Sequence, residues 1–332
     1  MAGMFVNSLE IFRYGMKSTN SVYRNEPVSR KEMLRILAVT GATLATGGLS
    51  AFSSPVQTTM LNRLIPSTKE KLPVVGIGTW QTFDVSGTAA HSELLQTLKA
   101  VHTAGGKLID SSPMYGRSEE VVGTLTAESG LQNQFFYATK VWTRGREAGI
   151  QQMEDSMRKM KRSSIDLMQI HNLVDWKTHL ETLKAWKAAG KIRYIGITHY
   201  TDSMHDELVE IISKVPLDFV QFNYSILARN AEKKLLPAAQ DRGVATIINQ
   251  PFAEGRLFSL VKGKAVPAWA NENDMTSWAQ FFLKFILSHP AVTCVIPGTS
   301  DPRHAADNML AGHGRLPDAA LREKMAGLIR TL

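Results

Sequence analysis

Eight short, largely apolar runs, separated by stretches of helical character, leave this chain few folds to choose from. The runs are Pro73–Thr79, Lys107–Ser112, Phe135–Val141, Ile165–His171, Ile192–Tyr200, Phe219–Tyr224, Ala245–Gln250 and Thr293–Pro297. Near-continuous apolar runs of this length are what strands covered on both faces look like, and such strands build parallel sheets. Between the runs, His91–Ala104 spaces Leu94, Leu95, Leu98 and Val101 along one helical face and stops at Gly105-Gly106. Ile150–Met160, Trp176–Ala189, Leu208–Lys214, Glu232–Asp241 and Ser277–Ser288 behave in the same way. Strands alternating with helices predict a closed (β/α)8 TIM barrel over residues 71–332. An open doubly wound sheet is the competing arrangement, and it normally carries a Gly-x-Gly-x-x-Gly turn after its first strand. Gly76-Ile77-Gly78-Thr79-Trp80 lacks the third glycine and opens no helix. Residues 252–275 form the longest irregular stretch, a loop placed to lie over a pocket.

Composition narrows the function classes. The chain has 332 residues, 44% apolar and 20% charged, which is enough for a full core and unlike a disordered segment. The formal charge of +8 is spread out, without the dense Lys/Arg block of a nucleic-acid surface. No nucleic-acid partner is expected; a small phosphate-bearing molecule in a basic cleft is. Cys294 is the single cysteine, so no intrachain disulfide forms. No metal-ligand spacing and no Gly-x-Ser-x-Gly elbow is present, so neither a metal site nor a serine nucleophile is expected.

Residues 1–52 read as an address rather than a fold. Ser29-Arg30-Lys31-Glu32-Met33-Leu34-Arg35 precedes a charge-free run from Ile36 to Phe52, diluted by glycine and threonine. A basic start before a short apolar segment is the pattern of an export signal. This one resembles a twin-arginine signal, with Lys31 for the second arginine and Met33 for the phenylalanine. Export to the periplasm by that machinery is the expectation. Residues 53–70 would then be a linker, and the mature chain would keep no stable membrane span. A cytoplasmic or membrane-anchored protein is the alternative.

Four reactive side chains sit where the apolar runs end. Asp110 and Tyr115 fall in Asp110-Ser111-Ser112-Pro113-Met114-Tyr115-Gly116, Lys140 in Tyr137-Ala138-Thr139-Lys140-Val141-Trp142, and His171 closes Asp166-Leu167-Met168-Gln169-Ile170-His171. The downstream strand ends of a (β/α)8 barrel gather on one face. An acid, a phenol, an ammonium and an imidazole would therefore converge. A phenol with a pKa of about 10 is a poor proton donor near neutrality. An ammonium beside it favours the phenolate and lowers that value. Lys140 would do this, Asp110 would hold Lys140 charged, and His171 would point a carbonyl oxygen at the phenol. Singly, each has a plainer role: a packed aromatic, a solvated lysine, a satisfied histidine. Their joint occurrence at three successive strand ends points to carbonyl reduction.

These residues, with others in the same order, resemble the aldo-keto reductase family over roughly residues 70–315. The matching pieces are Gly76-Ile77-Gly78-Thr79-Trp80, Asp110 to Tyr115-Gly116, Thr139-Lys140, Asp166-Leu167 to His171, Gly190-Lys191-Ile192-Arg193-Tyr194-Ile195-Gly196-Ile197, Val220-Gln221-Phe222-Asn223-Tyr224 and Ile296-Pro297-Gly298 to Asn308. The resemblance implies a barrel that binds a nicotinamide dinucleotide without a Rossmann domain, NADPH before NADH. It implies a small carbonyl substrate, Tyr115 as proton donor, and Lys140, Asp110 and His171 in support. Thr198, His199 and Gln221 would hold the nicotinamide carboxamide. Thr299, Ser300, His304, Asp307 and Asn308 would grip the adenosine end.

Three departures stand out. The family commonly has Ser-Asn where this chain has Thr198-His199, which keeps the hydroxyl but exchanges an amide for an imidazole. An aromatic ring often stacks on the nicotinamide where Asn249 stands here, and a polar amide cannot stack in that way. Lys and Arg commonly meet the ribose 2′-phosphate where Gly298 and His304 fall, with Arg303 adjacent. A cofactor-binding barrel that senses redox state or serves a partner, with little turnover, is therefore the second expectation. Trp80, Phe83, Met114, Trp142 and Trp176 are placed to line an apolar mouth or to pack the barrel.

Overall fold

The structure, a computed structural model, describes residues 59–332. The expected export signal over residues 1–52 lies outside the described residues. The described residues begin with an antiparallel hairpin, β1 (Asn62–Leu64) with β2 (Lys71–Pro73). Eight parallel strands follow: β3 (Ile77–Gly78), β4 (Leu108–Asp110), β5 (Phe136–Val141), β6 (Ile165–His171), β7 (Ile192–Thr198), β8 (Phe219–Asn223), β9 (Ala245–Asn249) and β10 (Cys294–Val295). They are hydrogen-bonded in chain order. The ends of the sheet meet through parallel bridges from Val75 to Val295 and from Gly78 to Gly298, closing the barrel. All eight expected runs contain these strands, trimmed by a residue or more at most ends.

Helices pack outside the strands. Among the described residues the α-helices are α1 (Thr88–Thr103), α2 (Ser118–Glu128), α3 (Arg146–Lys159), α4 (Trp176–Ala188), α5 (His205–Lys214), α6 (Leu235–Arg242), α7 (Arg256–Leu260), α8 (Ala268–Asn271), α9 (Trp278–Leu287), α10 (Pro302–Leu310) and α11 (Ala319–Arg330). α2 was not evident from periodicity. Its Gly123 lies against the Lys159 and Met160 backbone, where a Cβ would collide, so this helix is held by a close approach that no local pattern displays. Among the described residues no helix is long and apolar enough to cross a membrane.

The strand period of two sorts the side chains. Inward positions on β5 are Phe136, Ala138 and Lys140; on β6 they are Leu167, Gln169 and His171. Leu108, Phe136, Leu167, Tyr194 and Phe219 pack together inside the barrel, at or near the starts of their strands. Tyr194 sits with its ring centroid 5.8 Å from Phe136 and 5.5 Å from Phe219. Two or four residues further on, the inward positions turn polar. That switch within each strand divides a plugged end from a reactive end.

The hairpin supplies the plug, so residues 59–70 of the stretch expected as a linker pack onto the barrel, while residues 53–58 lie outside the described residues. Ile65 and Leu72 are buried and join the interior cluster at the strand starts. Arg63 fastens the hairpin to the end of α9, donating to the carbonyls of Leu287 (2.6 Å), His289 (2.9 Å) and Val292. Strands of three residues carry too little alternation to be read from sequence.

Candidate active site

Tyr115 is set by a tight turn. Its N–H donates to the Ser112 carbonyl at 3.0 Å, and its own carbonyl accepts from Ser118 N at 3.1 Å, at the start of α2. Gly116 follows at φ +58°, and a Cβ there would run into the Asp84 carboxylate. Asp84 accepts from Arg117 N at 3.0 Å. The turn is thus pinned from a loop 33 positions upstream in sequence.

The phenol, the ammonium, the carboxylate and the imidazole do come together. Lys140 is wholly buried, and its Nζ donates to Asp110 Oδ2 at 2.6 Å and to the Ser111 carbonyl at 2.7 Å. The same ammonium lies 4.9 Å from the Tyr115 ring centroid. Tyr115 meets His171 edge to face, centroids 5.8 Å apart and planes at 84°. Asp110 Oδ1 accepts from Gln169 Nε2 and from Gln221 Nε2, each at 2.9 Å. Gln221 Nε2 also reaches Gln169 Oε1 at 3.3 Å, and Gln221 Oε1 accepts from Thr198 Oγ1 at 3.3 Å. A buried charge is tolerable only when it is paired and hydrogen-bonded. Here the Asp110–Lys140 pair has both.

The electrostatics follow from burial. Burial alone would drive the Lys140 ammonium down, but the charge of Asp110 and the Tyr115 phenol raise it above its ordinary value. Burial pushes the Tyr115 phenol up; Lys140 pulls it down, and Asp110 opposes that pull. The net direction is upward, which reverses the lowering expected from Lys140 alone. Burial, with help from Lys140 and His199, depresses His171 to about 2, so its imidazole is neutral. His171 Nδ1 is 3.0 Å from Ser112 Oγ, which itself accepts from Met114 N at 3.3 Å. We assign the Ser112 proton to that Nδ1 contact, which leaves the imidazole proton on Nε2.

These groups open onto a cavity of about 630 Å³. Asp110, Tyr115, His171, Thr198, Gln221 and Asn249 all line it. Trp80, Met114 and Trp142 stand at it too. Of the five aromatic and apolar residues placed either at a mouth or in barrel packing, Phe83 is buried in the core and Trp176 packs against that core outside the cavity lining. Gln169, Ser112, Tyr200 and Phe258 were missed. Gln169 had a signal, since it lies two residues before His171 on the same inward face.

The remaining residues expected to meet a cofactor do not line this cavity. His199 Nδ1 accepts from the backbone N–H groups of Tyr200 (3.0 Å) and Thr201 (3.3 Å), and its ring stacks on Tyr200. Thr299 Oγ1 accepts from Asp301 N at 3.1 Å, and the Ser300 carbonyl accepts from Thr97 Oγ1 at 2.6 Å. His304 is exposed and Asn308 buried, both on α10. Asp307 is committed to α9, accepting from Ser277 Oγ and Gln280 Nε2, each at 2.6 Å. Arg303 pairs with Asp301 at 2.6 Å.

The lining fits a nicotinamide. A primary amide needs acceptors for its N–H groups and a donor for its oxygen. Gln221 Oε1 has one accepting position beyond Thr198, and the amide oxygens of Asn172 and Asn249 are buried without a partner. Unpartnered buried oxygens are uncommon and ask for a ligand group. Gly78 and Gly298 face each other across the closing seam and both line the cavity, where a Cβ on Gly78 would come within 3.0 Å of the Ile296 carbonyl.

A model of the aldo/keto reductase family matches residues 74–324. The chain is 29% identical over 216 residues to aldo-keto reductase YhdN of Bacillus subtilis, covering 60% of this chain and 63% of that protein. It is 29% identical over 262 residues to methylglyoxal reductase YeaE of Escherichia coli, covering 75% of this chain and 89% of that one. Among solved structures, an aldo/keto reductase of Klebsiella pneumoniae in complex with NADP and acetate superposes with a TM-score of 0.69 at 24% identity, covering 82% of this chain and 96% of that one. The family match spans most of the chain and includes every residue of the cavity described above, so the chain belongs to the aldo/keto reductase family.

Proposed function

We propose that the chain reduces an aldehyde or ketone, with bound NADPH supplying the hydride and Tyr115 the proton. Family membership makes it a nicotinamide-dependent oxidoreductase acting on carbonyl groups. NADH is compatible with that reading, since one Escherichia coli relative at 28% identity is named an NADH-specific methylglyoxal reductase. The observation that carries Tyr115's part is the Lys140 ammonium, 4.9 Å from its ring centroid and fixed by Asp110 at 2.6 Å.

The roles follow from protonation. Tyr115, held protonated by burial, gives its proton to the developing alkoxide. Lys140 stabilises the phenolate left behind, and Asp110 keeps Lys140 charged and in place. Neutral His171 offers its Nε2–H to the same oxygen and so orients the carbonyl. Thr198 and Gln221 would hold the nicotinamide carboxamide, and Asn249 lines the same cavity. Thr299, Ser300, His304, Asp307 and Asn308 remain the residues proposed for the adenosine end.

Stopped-flow mixing of the NADPH-loaded protein with a panel of aldehydes tests this. Loss of nicotinamide absorbance at a rate that saturates with aldehyde is the expected result. The asparagine at 249, which cannot stack, favours a second reading as a redox sensor. Cofactor that stays bound and reduced against every aldehyde would select the sensor. Export through a twin-arginine route is proposed from the sequence alone. Fractionation of cells making the full chain should find it in the periplasm, and an unprocessed cytosolic product would contradict that.

A further inference from the structure

One buried acid close to the reacting groups has no part in the proton transfer. Glu119 is the second residue of α2, four positions after Tyr115, and is 1% exposed. Its Oε1 accepts from Thr139 Oγ1 at 2.5 Å. Thr139 immediately precedes Lys140 on β5, so its side chain lies on the outer face where that of Lys140 lies on the inner. The carboxyl thus joins the segment that carries the phenol to the strand that carries the ammonium.

The second carboxyl oxygen points to another partner. Glu119 Oε2 is buried without a hydrogen bond, and so is Ser156 Oγ on α3. The Ser156 hydroxyl is near enough to act on the carboxyl. The helix contact brings the two together. Gly123, one turn beyond Glu119, lies against the backbone of Lys159 and Met160, about one turn beyond Ser156. Two orphaned oxygens across one buried contact call for a hydrogen between them.

The charges around Glu119 decide where that hydrogen comes from. Lys140 on β5 is committed to Asp110 and to the Ser111 carbonyl. Lys159 on α3 is exposed, and on α2 itself Glu120 faces Arg117 at 3.5 Å. An ionised Glu119 would be a buried anion without a counter-ion, which is costly. Burial raises its pKa, and the hydroxyls of Thr139 and Ser156 with the more distant Lys159 and Lys140 do not cancel that rise. Carrying a proton on Oε2, the acid donates to Ser156 while Oε1 accepts from Thr139.

Building on the reading of Tyr115 as proton donor, we propose that Glu119 is a positioning residue, a neutral carboxylic acid that ties α2 to Thr139 on β5 and to Ser156 on α3 and so holds the Tyr115 turn against Lys140. The start of α2 has a second anchor in Ser118 Oγ, which donates to the Thr79 carbonyl at 3.3 Å, just past β3. That anchor faces away from Lys140's strand. Loss of Glu119 therefore frees the turn in the direction that sets the 4.9 Å from Lys140 Nζ to the Tyr115 ring. A misplacement of about 1 Å at reacting groups can cost about 10²-fold in rate.

The test compares Glu119→Gln, which keeps an acceptor for Thr139 and a donor for Ser156, with Glu119→Met, which keeps the volume and loses both bonds. In the NADPH-loaded protein Glu119→Gln should hold kcat within about threefold of wild type. Glu119→Met should lose about tenfold or more in kcat, with NADPH affinity unchanged. Tyr115 is also followed by NMR of protein labelled at the tyrosine ring carbons, its signal being the one missing from Tyr115→Phe. That signal should coincide in wild type and Glu119→Gln and shift or broaden in Glu119→Met, while those of Tyr194 and Tyr224 stay in place. A third readout is the pH dependence of stability. An acid with a raised folded-state pKa contributes its full stability below its ordinary value of 4.5 and loses it as pH rises through the raised value. The urea midpoint of Glu119→Gln, which has no such proton, should therefore gain on wild type between about pH 4 and about pH 8. Glu119→Gln as impaired as Glu119→Met, a Tyr115 signal unmoved in Glu119→Met, or a midpoint difference of the opposite sign overturns the proposal. If Glu119→Met does not fold, Thr139→Val, which removes the hydroxyl at nearly constant volume, is read in its place with the same expected and contrary results. No turnover by wild type, together with a Tyr115 signal displaced in Glu119→Met and restored in Glu119→Gln, sinks the reduction reading and supports the tie.

Discussion

Tyr115→Phe is expected to lose about 10²–10⁴ in kcat for carbonyl reduction, the range that a positioned general acid contributes. Dinucleotide affinity should change little. The phenylalanine ring keeps the edge-to-face contact with His171 and the place beside Lys140, so the pocket wall is conserved. Only the hydroxyl goes, and with it the proton that burial holds on the oxygen. Steady-state turnover combined with titration of bound NADPH separates the two quantities. A kcat within threefold of wild type would remove Tyr115 from the mechanism. A collapse of NADPH affinity would instead assign Tyr115 to the cofactor.

Lys140→Met is expected to cost both activity and stability. The substitution strands the Asp110 carboxylate at the end of β4, where it is buried and its other partners are the neutral amides of Gln169 and Gln221. Removing one member of a buried ion pair typically costs about 3–5 kcal/mol, because the remaining charge stays in a poor solvent. Adding Asp110→Asn removes that charge while keeping an amide oxygen for the two glutamines. The double variant should regain most of the stability and none of the activity. Urea midpoints with paired kinetics check this. A single variant destabilised by less than about 1 kcal/mol would mean that the pair is not buried as described.

Much of the barrel was legible because strands and helices carry their own periods. Pro73–Thr79 through Thr293–Pro297 announced the strand count, and Lys140 stood out at the downstream end of its run, while its place with Phe136 and Ala138 on the inner face came from the structure. The four reactive residues were legible for the same reason, since each stands at or just past the end of a run. Contacts made between distant segments were not. The β1–β2 hairpin is too short to show alternation, yet Ile65 and Leu72 fill the closed end. Asp84 fixes the Tyr115 turn from another loop. Asp307, which sequence places with the adenosine residues, is drawn to Ser277 and Gln280 on the neighbouring helix. The direction of the Tyr115 shift was also misread, because Lys140 is visible in sequence and the burial that outweighs it is not.

The most direct trial follows one deuterium atom. The protein is loaded with NADPH deuterated at the transferable position of the nicotinamide, mixed for a single turnover with an aromatic aldehyde, and the alcohol is weighed by mass spectrometry. Wild type should return alcohol carrying deuterium at the former carbonyl carbon, while Tyr115→Phe binds the same cofactor and returns almost none. Alcohol without the label, or equal label from both proteins, would contradict the assignment of this phenol, ammonium and imidazole to carbonyl reduction.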